Sequence, residues 1–191
     1  HAMRKYVTQI FTCGEESATW LAGKELGKKA ILQRNSIDTQ VYAYSEVHRK
    51  EIREQLNIPM DAIVIGHVGR FNKQKNHAFL IDIFHAFVQQ HPNTHLVLVG
   101  VGELMEEIQE KVQRLQLTDQ VHFLRVRSDV PKLLHAMDLF LFPSFMEGLS
   151  VSMVEAQCAG LPCVVSNTIP AEVSMSDLVS FLSLKSPKSE W

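Results

Sequence analysis

Residues 61–100 read "DAIVIGHVGRFNKQKNHAFLIDIFHAFVQQHPNTHLVLVG", and this stretch decides the fold. Two short apolar runs, "IVIGHV" and "HLVLVG", flank a segment in which Leu80, Ile83, Phe84 and Phe87 recur at helical spacing and Pro92 marks the stop. Strand, helix, strand in that order is a βαβ unit, and strands apolar on both faces are those that helices cover on both sides.

The alternation continues toward the carboxyl end. Further strands are expected at "VHFL", "LFLF" and "CVVS", with a weaker one in "LVSFLSL". Between them lie "ELMEEIQEKVQRLQL", with Leu104, Ile108, Val112 and Leu115 on one stripe, and the short "DVPKLLHAM". A last helix is expected from about Ser150 to Ala159, closed by Gly160 and Pro162. The expected architecture is α/β: a Rossmann-like, doubly wound parallel sheet with helices on both faces.

Residues 1–58 differ. "YVTQIFTC", a helix through "EESATWLAG", a short "AILQ", the turn "RNSID" and the charged helix "SEVHRKEIREQLN" offer too little apolar surface for an independent core. They are expected to pack onto the sheet as the edge of a neighbouring domain plus a linker, leaving residues 59–191 as the sheet domain. "HAM" at the start resembles a cloning remnant and "SLKSPKSEW" ends in polar sequence, so the chain is expected to be an excised fragment.

At 191 residues, 46% hydrophobic and 21% charged, the composition is that of an ordinary globular protein. A formal charge of -2 supplies no basic field for nucleic acid, which is not an expected partner. No apolar run reaches the roughly 20 residues of a membrane span and no signal-peptide core is present. The expected location is cytoplasmic, with peripheral contact at the inner face of the cell membrane left open. Cys13, Cys158 and Cys163 include no CxxC spacing and are read as reduced core thiols.

In open parallel sheets ligands bind beyond the carboxyl ends of the strands. After the first strand, Gly69 opens the turn "GRFNKQKN", in which Arg70 and Lys75 stand five apart. Two cations beside a helix N-terminus suit a diphosphate, and a solvated basic loop fits the turn as well. "GVGE" lacks the third glycine of a dinucleotide fingerprint, and a tight strand-to-helix turn explains it equally. After "LFLF", Gly148 lets a backbone approach a ligand, and the amides of Leu149, Ser150 and Val151 open the last helix. Glu155, among Val151, Met153, Val154, Ala156 and Cys158, is expected to face inward, where it needs donors from a ligand's hydroxyls or from a neighbouring side chain. His91 and His95 sit in a proline-broken turn without a third metal ligand, and His67 is read as a satisfied core residue rather than a base. No G-x-S-x-G, Walker lysine or HExxH motif supports a hydrolase, a nucleotide triphosphatase or a metalloprotease.

"VGRFNKQKN", "HLVLVGVGE", "VHFLRVRSDVPKLLHAMDLFLFPS" and "EGLSVSMVEAQCAGLPCVVS" resemble, in order and spacing, the carboxyl-terminal domain of retaining glycosyltransferases with the GT-B fold. The group resembled is family four, especially its bacterial enzymes of capsular and exopolysaccharide synthesis. The resemblance runs from about Tyr6 to Val173, with "CGEESATWLAG" and "RNSID" similar to the interdomain crossing. Glu147 and Glu155 fit the family's E-x7-E, and Arg70 with Lys75 its R-x4-K. The resemblance implies a donor site for a nucleotide-diphosphate sugar, expected to be a UDP-sugar, with no metal. It implies diphosphate contacts from Arg70 and Lys75 beside Gly69, ribose hydroxyls on Glu155, and Glu147 as the catalytic carboxylate beside the donor sugar. The amides of Gly148, Leu149 and Ser150 would face sugar and phosphate, while Leu124, Arg125 and Val126 would run along the base. Arg125 departs from the glycine usual after "VHFL" and Ser36 from the common glycine or alanine, while Ser150 is acceptable where the family has a small residue or proline. A glycan or lipid-linked acceptor would be held by an amino-terminal domain almost wholly outside this chain, so the chain is expected to bind donor weakly and to transfer no sugar. The competing readings are a non-enzymatic ligand-binding or scaffold module and a GT-B-type sugar-nucleotide epimerase.

Overall fold

The computed structural model describes residues 6–191; the initial "HAM" lies outside the described residues. A small amino-terminal unit holds β1 (Phe11–Thr12), α1 (Glu15–Ala22), α2 (Lys24–Gly27) and β2 (Ile31–Leu32), with β1 and β2 paired in parallel. The "YVTQIFTC" and "AILQ" runs thus yield two residues of strand each. After α3 (Glu46–Gln55) the sheet domain alternates regularly. It runs β3 (Ile63–Val68), α4 (His77–Val88), β4 (Thr94–Val99), α5 (Met105–Arg114), β5 (Val121–Phe123), α6 (Val130–Ala136), β6 (Leu139–Phe142), α7 (Val151–Cys158), β7 (Cys163–Ser166) and β8 (Val179–Leu182).

The six strands from β3 onward form one sheet in the order β5-β4-β3-β6-β7-β8, every neighbouring pair parallel. Counted from β3 this is the 3-2-1-4-5-6 order of the doubly wound dinucleotide-binding folds. The chain winds outward from β3 in one direction, then returns and winds outward from β6 in the other. The switch point falls between β3 and β6, where the helices following the two strands, α4 and α7, pack on opposite faces of the sheet and a crevice opens beyond the carboxyl ends.

Side-chain alternation divides the strands between two cores. Val64 of β3, Val97 and Val99 of β4, and Phe140 and Phe142 of β6 enter one, with Ile52 of α3, Leu133 and Leu134 of α6, and Met153 and Ala156 of α7. Ile65, Leu96, Leu98 and Leu141 point to the other face, against Leu80, Ile81 and Phe84 of α4 and Ile108 and Val112 of α5. A period of two applied to apolar runs places a methyl-rich side chain on each face in turn, which is why these strands read as continuous rather than alternating. In α4 the fully buried stripe includes Ile81, while Phe87 is only partly covered.

The linker's last helix is fastened to this frame by charge. Arg53 of α3 is completely buried. Its guanidinium donates to the carbonyls of Ala136, Pro59, Met60 and Ala62 and, at 2.7 Å, to Asp138 Oδ2. Arg49 takes Asp138 Oδ1 at 2.6 Å, and the amide of Val64 also donates to Asp138. A planar five-donor fork satisfies the strand and helix ends that meet beneath β3 and β6.

The three cysteines are free, but only Cys163 is a core thiol, pushed up to about 12 by burial. Cys13 and Cys158 are partly exposed, because Cys158 sits on the face of α7 that meets the linker, with its sulfur 3.8 Å from the Thr39 carbonyl. Among the described residues, no helix is long and apolar enough to cross a membrane.

Candidate functional site

The loop after β3 begins with Gly69 and Arg70 and tightens into a 3-10 turn, Lys73–Lys75. Asn72 caps that turn by accepting from the Lys75 amide at 3.1 Å. Asn76 ends it in the left-handed region at φ 55°, a conformation that asparagine tolerates better than most residues. The turn is then stitched to the loop after β6. Phe145 N–H donates to the Gln74 carbonyl at 2.9 Å, the Gln74 side chain donates to the Met146 carbonyl at 2.7 Å, and Asn76 donates to the Pro143 carbonyl at 3.1 Å.

This stitching brings Lys75 to Glu147, Nζ to Oε1 at 2.8 Å, with side chains 13% and 7% exposed. The lysine ammonium also lies 4.5 Å from the centre of the Phe142 ring. Glu147 Oε1 lacks a well-directed hydrogen bond, so the contact is an ion pair drawn together by charge in a poorly solvated place. Each group compensates the other's lost hydration. Glu147 and Gly148 form one wall of a cleft of about 560 Å³, whose other walls include Phe11, Cys13, Trp20 and Met146.

Beneath the turn lies a histidine pair. His67 is buried, and its Nδ1 meets the Leu141 carbonyl at 2.8 Å. A carbonyl only accepts, so Nδ1 carries the hydrogen and Nε2 is left bare and without a partner. The expectation of a satisfied core residue therefore holds for one nitrogen only. His77 packs edge-on against His67 and stacks on Phe71 at 4.0 Å, with neither nitrogen bonded. Burial lowers both pKa values, that of His77 to about 4 with Lys75 nearby contributing. Both rings are neutral at pH 7, so Lys75 is the cation of this cluster.

Arg70 does not join the pair. Its side chain is 71% exposed and reaches Glu103 of the "GVGE" turn at 3.3 Å. The two glycines of that turn serve packing against the β3 loop. Gly100 has φ 138°, and a side chain there would place Cβ 2.0 Å from the Gly69 carbonyl oxygen; one at Gly102 would meet the Phe71 carbonyl oxygen at 2.3 Å. The Gly100 amide donates to the Arg125 carbonyl at 2.7 Å, so the ends of β3, β4 and β5 lie side by side. Arg125 itself occupies the left-handed region at φ 53°. The backbone there has the form that glycine adopts freely, and a non-glycine residue holds it at a cost on the order of 1 kcal/mol. Leu124 packs partly against the core, while Arg125 and Val126 face solvent.

Of the α7 residues, Ser150 is the N-cap and nearly buried, as is Leu149 before it. The expectation that Glu155 faces inward is corrected. The buried polar residue of α7 is Gln157, which donates to the Met153 and Val173 carbonyls and accepts from the Met175 amide and the Ser176 hydroxyl. Glu155 lies two residues back, on the face crossed by the linker, where its Oε1 accepts from the Tyr42 hydroxyl at 2.6 Å. Asn35 of the same linker donates to the Leu149 carbonyl at 3.0 Å. Tyr42, Asn35 and Gln74 escaped the sequence reading. Tyr42 stands in an irregular crossing without periodicity, while Asn35 in "RNSID" and Gln74 in "GRFNKQKN" are uncharged and nothing in the sequence marks their partners. Among the described residues, no group of three or more His, Cys, Asp or Glu side chains could hold a metal ion.

Fold and crevice together define an open, doubly wound α/β domain with its candidate ligand site at the switch point. The sequence profile of "Glycosyl transferases group 1" matches residues 48–183, and the chain belongs to that family. The chain is 36% identical over 187 residues to EpsF of Bacillus subtilis, named as a glycosyltransferase, covering 96% of this chain and 49% of EpsF. It is 32% identical to the Escherichia coli UDP-Gal:alpha-D-GlcNAc-diphosphoundecaprenol alpha-1,3-galactosyltransferase, covering 70% of this chain and 35% of that enzyme. The crystal structure of Anabaena HepE with UDP and glucose superposes with a TM-score of 0.82 at 25% identity, covering 94% of this chain and 50% of HepE. The chain is also 36% identical over 121 residues to the Vi polysaccharide biosynthesis protein VipC/TviE of Salmonella typhi, covering 63% of this chain and 21% of that protein, so the expected GT-B type of domain and the likeness to bacterial polysaccharide-synthesis proteins are borne out. The chain spans about half or less of the length of the curated relatives it matches.

Proposed function

We propose that this chain is the donor-binding half of a retaining glycosyltransferase that moves a hexose from a nucleotide diphosphate to a glycan or lipid-linked acceptor, in surface polysaccharide synthesis. The observation that carries the reading is the Lys75–Glu147 pair, 2.8 Å apart where the loops after β3 and β6 meet at the switch point. An ammonium and a carboxylate held side by side are what cleavage of a glycosyl-phosphate bond calls for. Positive charge develops on the sugar carbon as negative charge gathers on the departing diphosphate, and preorganised opposite charges lower that barrier.

In this reading an entering diphosphate gives Lys75 a second anionic partner. Arg70, exposed at the surface and paired with Glu103, swings in as the bidentate clamp. The amides of Gly148, Leu149 and Ser150 line the phosphate and sugar, and Glu147 orients the sugar and steadies an oxocarbenium-like carbon, as carboxylates do in glycoside hydrolysis. Glu155 takes the ribose hydroxyls, and Gly69 with the loop of Leu124, Arg125 and Val126 borders the nucleotide. The cations carry the charge stabilisation, with no part assigned to a metal. UDP is the favoured nucleotide because HepE was solved with it. The acceptor side is assigned to the portion that longer relatives carry beyond this span, at the cytoplasmic face of the membrane.

The test is titration with UDP and UDP-glucose of the chain and of its Arg70→Ala and Glu155→Ala forms. Each substitution should weaken binding about tenfold, the effect of losing one charge-assisted contact. Binding unchanged by both would remove these residues from the site.

A further inference from the structure

Glu155 is held by a residue that no motif contains. Tyr42 sits in the linker, 113 positions earlier, and its hydroxyl donates to Glu155 Oε1 at 2.6 Å. The phenol ring packs against the core formed by α3, α6 and α7, and the Tyr42 carbonyl meets His135 Nε2 at 3.3 Å. The linker around it is fastened at two further points, Asn35 to the carbonyl of Leu149 just before α7 and Cys158 of α7 to the Thr39 carbonyl. The tyrosine is thus fixed through its ring and backbone, independently of its hydroxyl. Burial and the neighbouring carboxylate raise its pKa, so the phenol stays protonated and remains a donor throughout the physiological range.

A glutamate on a helix surface has three side-chain torsions to order before it can bind anything, and that ordering subtracts from affinity. Here the ordering is already done. The Tyr42 bond engages one carboxylate oxygen and is the only hydrogen bond to the Glu155 carboxylate among the described residues. Oε2 therefore keeps its capacity to accept.

We infer that Tyr42 is a positioning residue for nucleotide recognition: its hydroxyl holds Oε1 of Glu155 so that the carboxylate is pre-set to accept from the vicinal hydroxyls of a ribose. This rests on the reading of Glu155 as the ribose anchor. It makes the linker part of the specificity apparatus for the sugar of the nucleotide. Tyr42→Phe is the natural probe, since it deletes one oxygen and leaves the packed ring.

The experiment is a ligand-observed NMR titration of the 191-residue chain with UDP and with 2′,3′-dideoxy-UDP, on the unaltered sequence, Tyr42→Phe and Glu155→Ala. The unaltered chain should prefer UDP by about tenfold, and Tyr42→Phe should lose most of that preference while binding the dideoxy compound as before. A general loosening of the fold would weaken both ligands alike and would count against the inference. Tyr42→Phe keeping the full preference while Glu155→Ala abolishes it would overturn the positioning role and leave the ribose anchor standing. No preference in the unaltered chain would overturn the ribose anchor, and the positioning role with it.

Discussion

Lys75 and Glu147 are worth most as a pair. Nearly out of water, neither charge has another strong partner, so Lys75→Met leaves a buried carboxylate uncompensated. Loss of stability by about 3 kcal/mol is expected, read as a lowered urea midpoint at unchanged slope. The paired change Lys75→Met with Glu147→Leu should recover much of that loss, since an apolar replacement of both partners removes the desolvation cost along with the attraction. His77 contributes to acid sensitivity. Its pKa is about 4 in the folded chain against 6.5 in the unfolded one, so below pH 6.5 the unfolded state binds the extra proton. The stabilising contribution is complete above pH 6.5 and is lost as the pH falls toward 4. Between pH 7 and pH 5 this residue alone should account for about 2 kcal/mol. Urea unfolding at the two pH values checks it, and His77→Phe should flatten the dependence by that amount.

At the scale of elements, strands and helices were legible because burial on both faces leaves continuous apolar runs that "IVIGHV", "LFLF" and "CVVS" display without ambiguity. The turn after β3 was legible as a charged motif. What it touches was not, because the bonds from Gln74 and Asn76 to the β6 loop join positions some seventy residues apart. The reading of α7 failed for a physical reason: apolar neighbours in sequence do not share a face, and Gln157 rather than Glu155 turns to the core. α3 is the other case. It was expected to pack onto the sheet, but nothing in its charged sequence marked Arg53, one of the most deeply buried large side chains among the described residues. Arg53→Lys keeps the charge but cannot reach four carbonyls and Asp138 together. It should lower the urea midpoint by an amount equivalent to about 3 kcal/mol, and α3 should lose hydrogen-exchange protection ahead of the sheet.

For the whole molecule, strand order places the site before any side chain is considered. Winding outward from β3 and then from β6 opens a crevice beyond their carboxyl ends, and the Lys75–Glu147 pair lies at that place. Sequence motifs in correct order were enough to expect this arrangement. They could not show that Arg70 lies outward on Glu103, nor that the linker fastens Glu155 through Tyr42. The most direct measurement is the change in backbone amide NMR shifts of the isotope-labelled chain on addition of UDP. Binding at the switch point should move the amides of residues 69–76 and 147–155 together and leave the outer strand β8 unchanged. Shifts confined to other surfaces, or none at saturating UDP, would contradict it.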